Sequence, residues 1–188
     1  MLLKRVFLGG LGTLAVLFLA GLTFSGEWTA GSTISIAAPP ELIYEDVATL
    51  RKWREWSIWN DQADPDCQHT YEGPESGVGA KWKWNGPVLS EGVLTITEAS
   101  IAKGVKYDLE LAGMAPAKGA LEFELQDKQT TVSMTVRGSF GGAFGGWLAL
   151  LMPIVMEGEF AKCLTSLKGR AEPRVKSPPA DASFQKKK

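Results

Sequence analysis

Histidine and cysteine are nearly missing from this chain. One histidine, His69, and two cysteines, Cys67 and Cys163, occur in 188 residues. The cysteines lie far apart and match no metal-ligand spacing. They read as two separate thiols, with Cys163 buried on a helix. His69 stands in the polar run DPDCQHTYEG, and the sequence supplies it with no catalytic or metal partners. Asp61, Asp64 and Asp66 lack the further ligands and the spaced glutamate of a calcium loop, so they read as a solvated loop. No metal or cofactor is called for. A surplus of positive charge is missing as well. Beyond Lys4 and Arg5, 18 basic residues face 21 acidic ones. That balance excludes the basic field which nucleic acid requires. The closing Lys186-Lys187-Lys188 reads as a solvated tail.

Charge of either sign is absent from Val6 to Gly26, a run of 21 residues directly after Lys4 and Arg5. As a helix rising about 1.5 Å per residue, such a run reaches the roughly 30 Å of a bilayer's hydrocarbon core. The basic pair before it predicts a cytoplasmic N-terminus and a domain on the extracytoplasmic side, periplasmic in a Gram-negative cell. The rival readings are a cleaved signal peptide and a buried soluble helix. A signal peptide's apolar region runs only about 7–15 residues, and Ala20 to Gly26 offers no clean small-x-small cleavage site. The favoured division is an anchor at 1–26, a domain at 32–172 and a disordered tail at 173–188. The tail, PRVKSPPADASFQKKK, has too little apolar content to fold.

The remainder has a globular composition, with 45% hydrophobic and 22% charged residues, which is enough for one ordinary domain. After a linker at Glu27–Gly31, Ser32–Ile36 alternates as a strand does. Pro39 and Pro40 suit the first turn of a helix, and Leu42, Ile43, Val47 and Leu50 follow at helical spacing. A second short helix, RKWREWSIW, carries Trp53, Trp56 and Trp59 every three residues. Alternation then dominates. Trp82 and Trp84 alternate with Lys81 and Lys83, Tyr107 and Leu109 with Asp108 and Glu110, Phe123 with Glu122 and Glu124, and Met134 with Ser133 and Thr135. Six or seven antiparallel strands with one dry face are predicted. A long helix closes the domain from about Gly145 to Arg170. Its expected buried stripe is Leu150, Ile154, Phe160, Cys163, Leu164 and Leu167, with a kink or restart at Pro153. The glycine-rich run Gly138–Gly146 before it reads as a mobile loop.

This order is α+β, a curved antiparallel sheet around one long C-terminal helix, preceded by one transmembrane helix. A sheet gripping a single helix leaves a concave apolar cavity. The residues expected to face it are Trp53, Trp56, Trp59, Trp82, Trp84, Tyr107, Leu109, Phe123, Met134 and Phe160. Almost none is ionisable, which weighs against acid–base chemistry there. Glu157 and Glu159 on the last helix are the remaining candidates for a general base, against the plainer reading of solvated helix-face charges.

The runs IAAPPELIYEDVATLRKWREWSIWN, YEGPESGVGAKWKWNG and MEGEFAKCLTSLK, with the Asp64-Pro65 step between the first two, resemble the START-like SRPBCC superfamily in its polyketide cyclase/dehydrase-type branch. The resemblance implies a helix-grip, START/Bet v 1-like fold with a deep hydrophobic cavity. It supplies no shared catalytic residues. Three functions are open on this reading: a membrane-anchored binding protein for a lipid or other hydrophobic small molecule, a protein-interaction or assembly factor, and a polyketide cyclase/dehydrase-like enzyme. The first is favoured, and the expected partners are a hydrophobic ligand and the membrane.

Overall fold

A computed structural model describes residues 23–176 together with Phe18 and Gly21. Most of the uncharged run at 6–26 and all of 177–188 lie outside the described residues. Among those described, no helix is long and apolar enough to cross a membrane.

The chain opens with strand β1 (Glu27–Ile36), then helix α1 (Pro40–Ala48) and a 3₁₀ helix (Leu50–Glu55). Six strands follow: β2 (Gln68–Glu72), β3 (Lys81–Gly86), β4 (Ser90–Ser100), β5 (Gly104–Leu111), β6 (Ala117–Gln126) and β7 (Gln129–Ser139). Helix α2 (Gly145–Lys176) completes the fold. The seven strands form one antiparallel sheet in the order β1-β7-β6-β5-β4-β3-β2. Neighbours in sequence are neighbours in the sheet, except that β1 returns to pair with β7. A register shift between Ile96 and Glu98 marks a bulge in β4, the kind of irregularity that bends a strand.

The alternation read from sequence puts the dry face where it was expected. Trp82, Trp84, Leu94, Ile96, Tyr107, Leu109, Leu121, Val132 and Met134 are buried. Helix α1 starts with Pro40 at its first turn and Glu41 beside its N-terminus, both favourable there. Its last carbonyls are taken up by the aromatic segment that follows: the Trp53 indole donates to Val47 O at 2.9 Å and the Trp56 indole to Asp46 O at 3.4 Å. Orphan carbonyls at a helix end need such donors.

Several expectations are corrected. Glu27–Gly31 is not a linker but the first half of β1, paired to β7 from Glu27↔Ser139 onward. Asp64 is not solvated. It is buried, and its Oδ2 accepts from the Val88 and Leu89 backbone N–H groups, each at 2.9 Å, holding the β3–β4 turn. His69 lies on β2, with its side chain only 4% exposed. Helix α2 runs through Pro153 without a break and continues past Glu172 to Lys176, with Pro173 inside it. The start of the expected tail is therefore ordered. Leu150 and Ile154, placed in the buried stripe by their spacing, are 53% and 75% exposed. Of the run Gly138–Gly146, β7 and α2 take two residues at each end, residues 140–144 form the connecting loop between them, and Phe140 N–H donates to Gly26 O at 2.9 Å.

Candidate functional site

The C-terminal half of α2 is bolted to the domain. Phe160, Cys163, Leu164, Leu167 and Ala171 bury one stripe against the sheet. At the far end Asp46 of α1, fully buried, faces three cations. Lys52 and Arg170 each lie 3.6 Å from it, and Arg174 bonds it directly. Arg174 also donates to Leu42 O at 2.8 Å, and Ala37 N–H donates to Glu172 at 2.9 Å.

Under the N-terminal half of α2 lies an apolar cavity of about 210 Å³. Strand β1 contributes Trp28, the segment after the 3₁₀ helix Ile58 and Trp59, and β5 Leu109 and Leu111. Met114, Ala115, Ala117 and Val136 continue the wall, and Met152, Met156 and Phe160 close it from α2. The cavity exceeds the dry engineered cavity of about 150 Å³ that accepts benzene. Three of the chain's five methionines line it, and unbranched thioether chains repack readily around a guest. Trp28 is 7% exposed, and its Nε1 has no hydrogen-bond partner among the described residues. The one polar hydrogen that it brings to this wall is thus unsatisfied.

Of the ten residues read from sequence as cavity-facing, Trp59, Leu109 and Phe160 line this cavity. Trp53, Trp56, Trp82, Trp84 and Tyr107 form an aromatic block beside it. Trp53 packs edge-on to Tyr107 at 5.2 Å, Trp82 against Trp84 at 4.9 Å, and Trp59 joins the block through Trp84 at 5.6 Å. Phe123 and Met134 are buried on β6 and β7. Trp56 also edges a larger, polar cleft of about 680 Å³ with Arg54, Asp61, Glu159 and Lys162. The apolar cavity is the better ligand site, because the polar cleft's charged groups are already paired: Arg54 with Asp61, Lys162 with Glu159 and Glu55 with Arg170. Sequence reasoning missed Trp28, Met152 and Met156. The signals were an aromatic within an alternating run and the i, i+4, i+8 spacing of Met152, Met156 and Phe160.

Nothing lining the cavity is a ready acid, base or nucleophile. Glu157 is exposed, and Glu159 bonds Lys162 at 2.7 Å. Burial pushes the Cys163 thiol up to about 11 and the Tyr107 phenol upward as well, so both stay protonated at neutral pH. His69 is held by its neighbours: Trp82 Nε1–H donates to Nδ1 at 3.2 Å, and Nε2 lies 3.4 Å from Asp61. Cys67 and Cys163 are both free thiols. Among the described residues no group of histidine, cysteine and carboxylate side chains could hold a metal ion.

The family described as polyketide cyclase / dehydrase and lipid transport matches residues 27–172, the whole of the sheet and nearly all of α2. The chain belongs to this family. Solved structures agree on the fold. The Aha1 dimer from Colwellia psychrerythraea is 20% identical, with a TM-score of 0.55 over 77% of this chain and 96% of that one. A protein from Thermus thermophilus is 16% identical, with a TM-score of 0.58 over 76% and 96%. A Staphylococcus aureus protein of unknown function is 13% identical, with a TM-score of 0.59 over 80% and 98%. No curated protein gives a significant sequence match. Identities this low carry the helix-grip architecture and leave the function to the site.

Proposed function

We propose that this family member is a membrane-tethered carrier or sensor of a small hydrophobic molecule, bound between the sheet and the first half of α2. The observation that carries the reading is the apolar cavity of about 210 Å³ with a buried donor in its wall, Trp28 Nε1–H, that has no partner among the described residues. Such a site suits a guest with a compact apolar body and one acceptor oxygen, such as a short acyl chain or a small ring system with a carbonyl. Apolar walls supply affinity, and the lone donor fixes orientation. The lack of a reactive group in the wall favours binding over turnover. The uncharged run at residues 6–26 with its preceding basic pair supports tethering, with the domain on the extracytoplasmic side.

The test is binding of a fluorescent fatty-acid-like probe to the full chain, alongside mass spectrometry of small molecules that it retains on purification. Ala117→Leu fills the cavity from β6. The variant should stay folded and lose probe binding by roughly tenfold or more, since overfilling a pocket excludes the guest. Unchanged binding by a folded Ala117→Leu chain would remove the cavity as the site.

A further inference from the structure

Phe140 to Met156 holds no charged residue over 17 positions. A run of this kind on a soluble helix normally lies inside a protein. Here the outer side of the first half of α2 is largely exposed, with Trp147 alone on that side half-buried, under Phe24. Phe144 just before the helix is 63% exposed, Leu148 48%, Leu150 53%, Leu151 57%, Ile154 75% and Val155 63%. Projected at 100° per residue, these six fall in one arc about 160° wide. Met152 and Met156, which line the cavity, lie next to that arc on the same helix. A single partner helix covers only a narrow seam, so a neighbouring helix does not account for an arc of this width. A fluid apolar phase does.

The surroundings name that phase. Phe18 packs edge-on to Phe144 at 5.9 Å, and Phe24 to Trp147 at 5.1 Å. The end of the uncharged run thus meets the bare half-helix. Charge returns immediately beyond it, at Glu157, Glu159 and Lys162. The twelve residues from Gly145 to Met156 are about 18 Å long as a helix, too short to span a core of about 30 Å.

We propose that the first half of α2 lies in the acyl layer of a lipid bilayer, without crossing it, beside the N-terminal segment. The cavity's methionine wall is then the protein-facing side of a helix whose other side touches lipid. A hydrophobic guest passes between bilayer and cavity without crossing water. The proposal rests on the carrier reading only for what passes; the contact itself is read from the helix.

The experiment uses the full chain in phosphatidylcholine vesicles, with Cys67→Ser and Cys163→Ala as background. Single cysteines at Leu151, Ile154 and Val88 carry a nitroxide. Val88, in the β3–β4 turn, is 69% exposed and serves as the aqueous reference. The expected result is strong relaxation by oxygen and weak relaxation by a water-soluble nickel chelate at Leu151 and Ile154, with the reverse at Val88. Nickel access at all three sites overturns the proposal. Protection of Leu151 and Ile154 from both reagents also overturns it, since protein then covers the arc. A second readout is transfer of a pyrene-labelled fatty acid out of vesicles. Leu151→Glu with Ile154→Glu should slow transfer about tenfold, because carboxylates are costly in the acyl layer, and should leave affinity for probe delivered from water unchanged. An unaffected transfer rate again overturns the proposal. If the parent chain binds no probe, the carrier reading fails while the nitroxide depths still decide the membrane contact.

Discussion

At the scale of single residues, large rings sit over glycines across the sheet. Trp28 pairs with Gly138, Trp84 with Gly92 and Tyr107 with Gly119. A methyl group built on any of these glycines would overlap the facing ring. Gly92→Ala and Gly119→Ala should each lower stability by about 1–3 kcal/mol in chemical denaturation, through overpacking. An unchanged midpoint would show that the ring can move aside. Trp28 invites the converse change. Trp28→Phe keeps an aromatic body over Gly138 and deletes the orphaned N–H. Probe affinity should fall by roughly 2- to 10-fold, the value of one hydrogen bond, with little loss of stability, and equal affinity would show that the donor never meets the guest. His69 supplies a pH dependence. Burial and the nearby Arg54 guanidinium hold its pKa below the ordinary 6.5, against the opposing pull of Asp61. Protonating Nδ1 also removes the acceptor of the Trp82 indole. The folded state therefore prefers neutral His69. Its stabilising effect is complete above 6.5 and is lost as pH falls from there toward the lower folded value. The difference in melting temperature between the parent and His69→Gln should shrink across that window, and a constant difference would exclude His69 as the titrating group.

At the scale of elements, α2 is two devices on one helix. Its C-terminal half is a clamp around Asp46, and its N-terminal half roofs the cavity. Arg174→Met should cost about 1.5–3 kcal/mol, because it removes charge-assisted bonds to a buried carboxylate. A denaturation midpoint identical to the parent's would mean that Lys52 and Arg170 suffice. This clamp was invisible in sequence. Composition alone marked Pro173 onward as too polar to fold, and nothing in local pattern shows that Arg174 reaches α1. The strands were legible because each has one dry and one wet face, so period-two alternation writes the sheet directly. The first half of β1 was not, since Gly31 and Ser32 interrupt the alternation that Trp28 and Ala30 carry. Alternation names the face of the sheet and stops there. It does not say which part of that face lies under the clamp and which under the roof. That is why Trp82 and Trp84 were grouped with Trp59 and Leu109, although only the latter two line the cavity. The expected stripe on α2 failed at Leu150 and Ile154 for a related reason. In an apolar run with no polar face to set the phase, spacing cannot tell inside from outside.

At the scale of the whole molecule, polarity is segregated along α2. One end carries the charged clamp of Asp46, Arg170, Arg174 and Glu172. The other gathers Phe18, Phe24, Phe144, Trp147 and the bare arc from Leu148 to Val155. The described residues Phe18 and Phe24, from the end of the uncharged run 6–26, meet the uncharged run 140–156 there. A tether entering at this end would leave the polar end farthest from the lipid. The proposed direction rests on the basic pair Lys4-Arg5, because cytoplasmic flanks retain lysine and arginine. Glu27 on the far side of the run does not oppose it. In a bacterial host, an alkaline phosphatase fused after Lys188 should therefore be active, and a reporter that fluoresces only in the cytoplasm should be dark at the same position. The full-length chain should remain with the membrane fraction after an alkaline carbonate wash. A bright cytoplasmic reporter would reverse the orientation. A mature protein in the soluble fraction that begins near Glu27 would replace the tether with a cleaved leader, and the bare half of α2 would then have to hold the bilayer alone. Of the two contacts, only the run at 6–26 is long enough to span, so it should give carbonate resistance; a half-helix lying in one leaflet should give a reversible association instead.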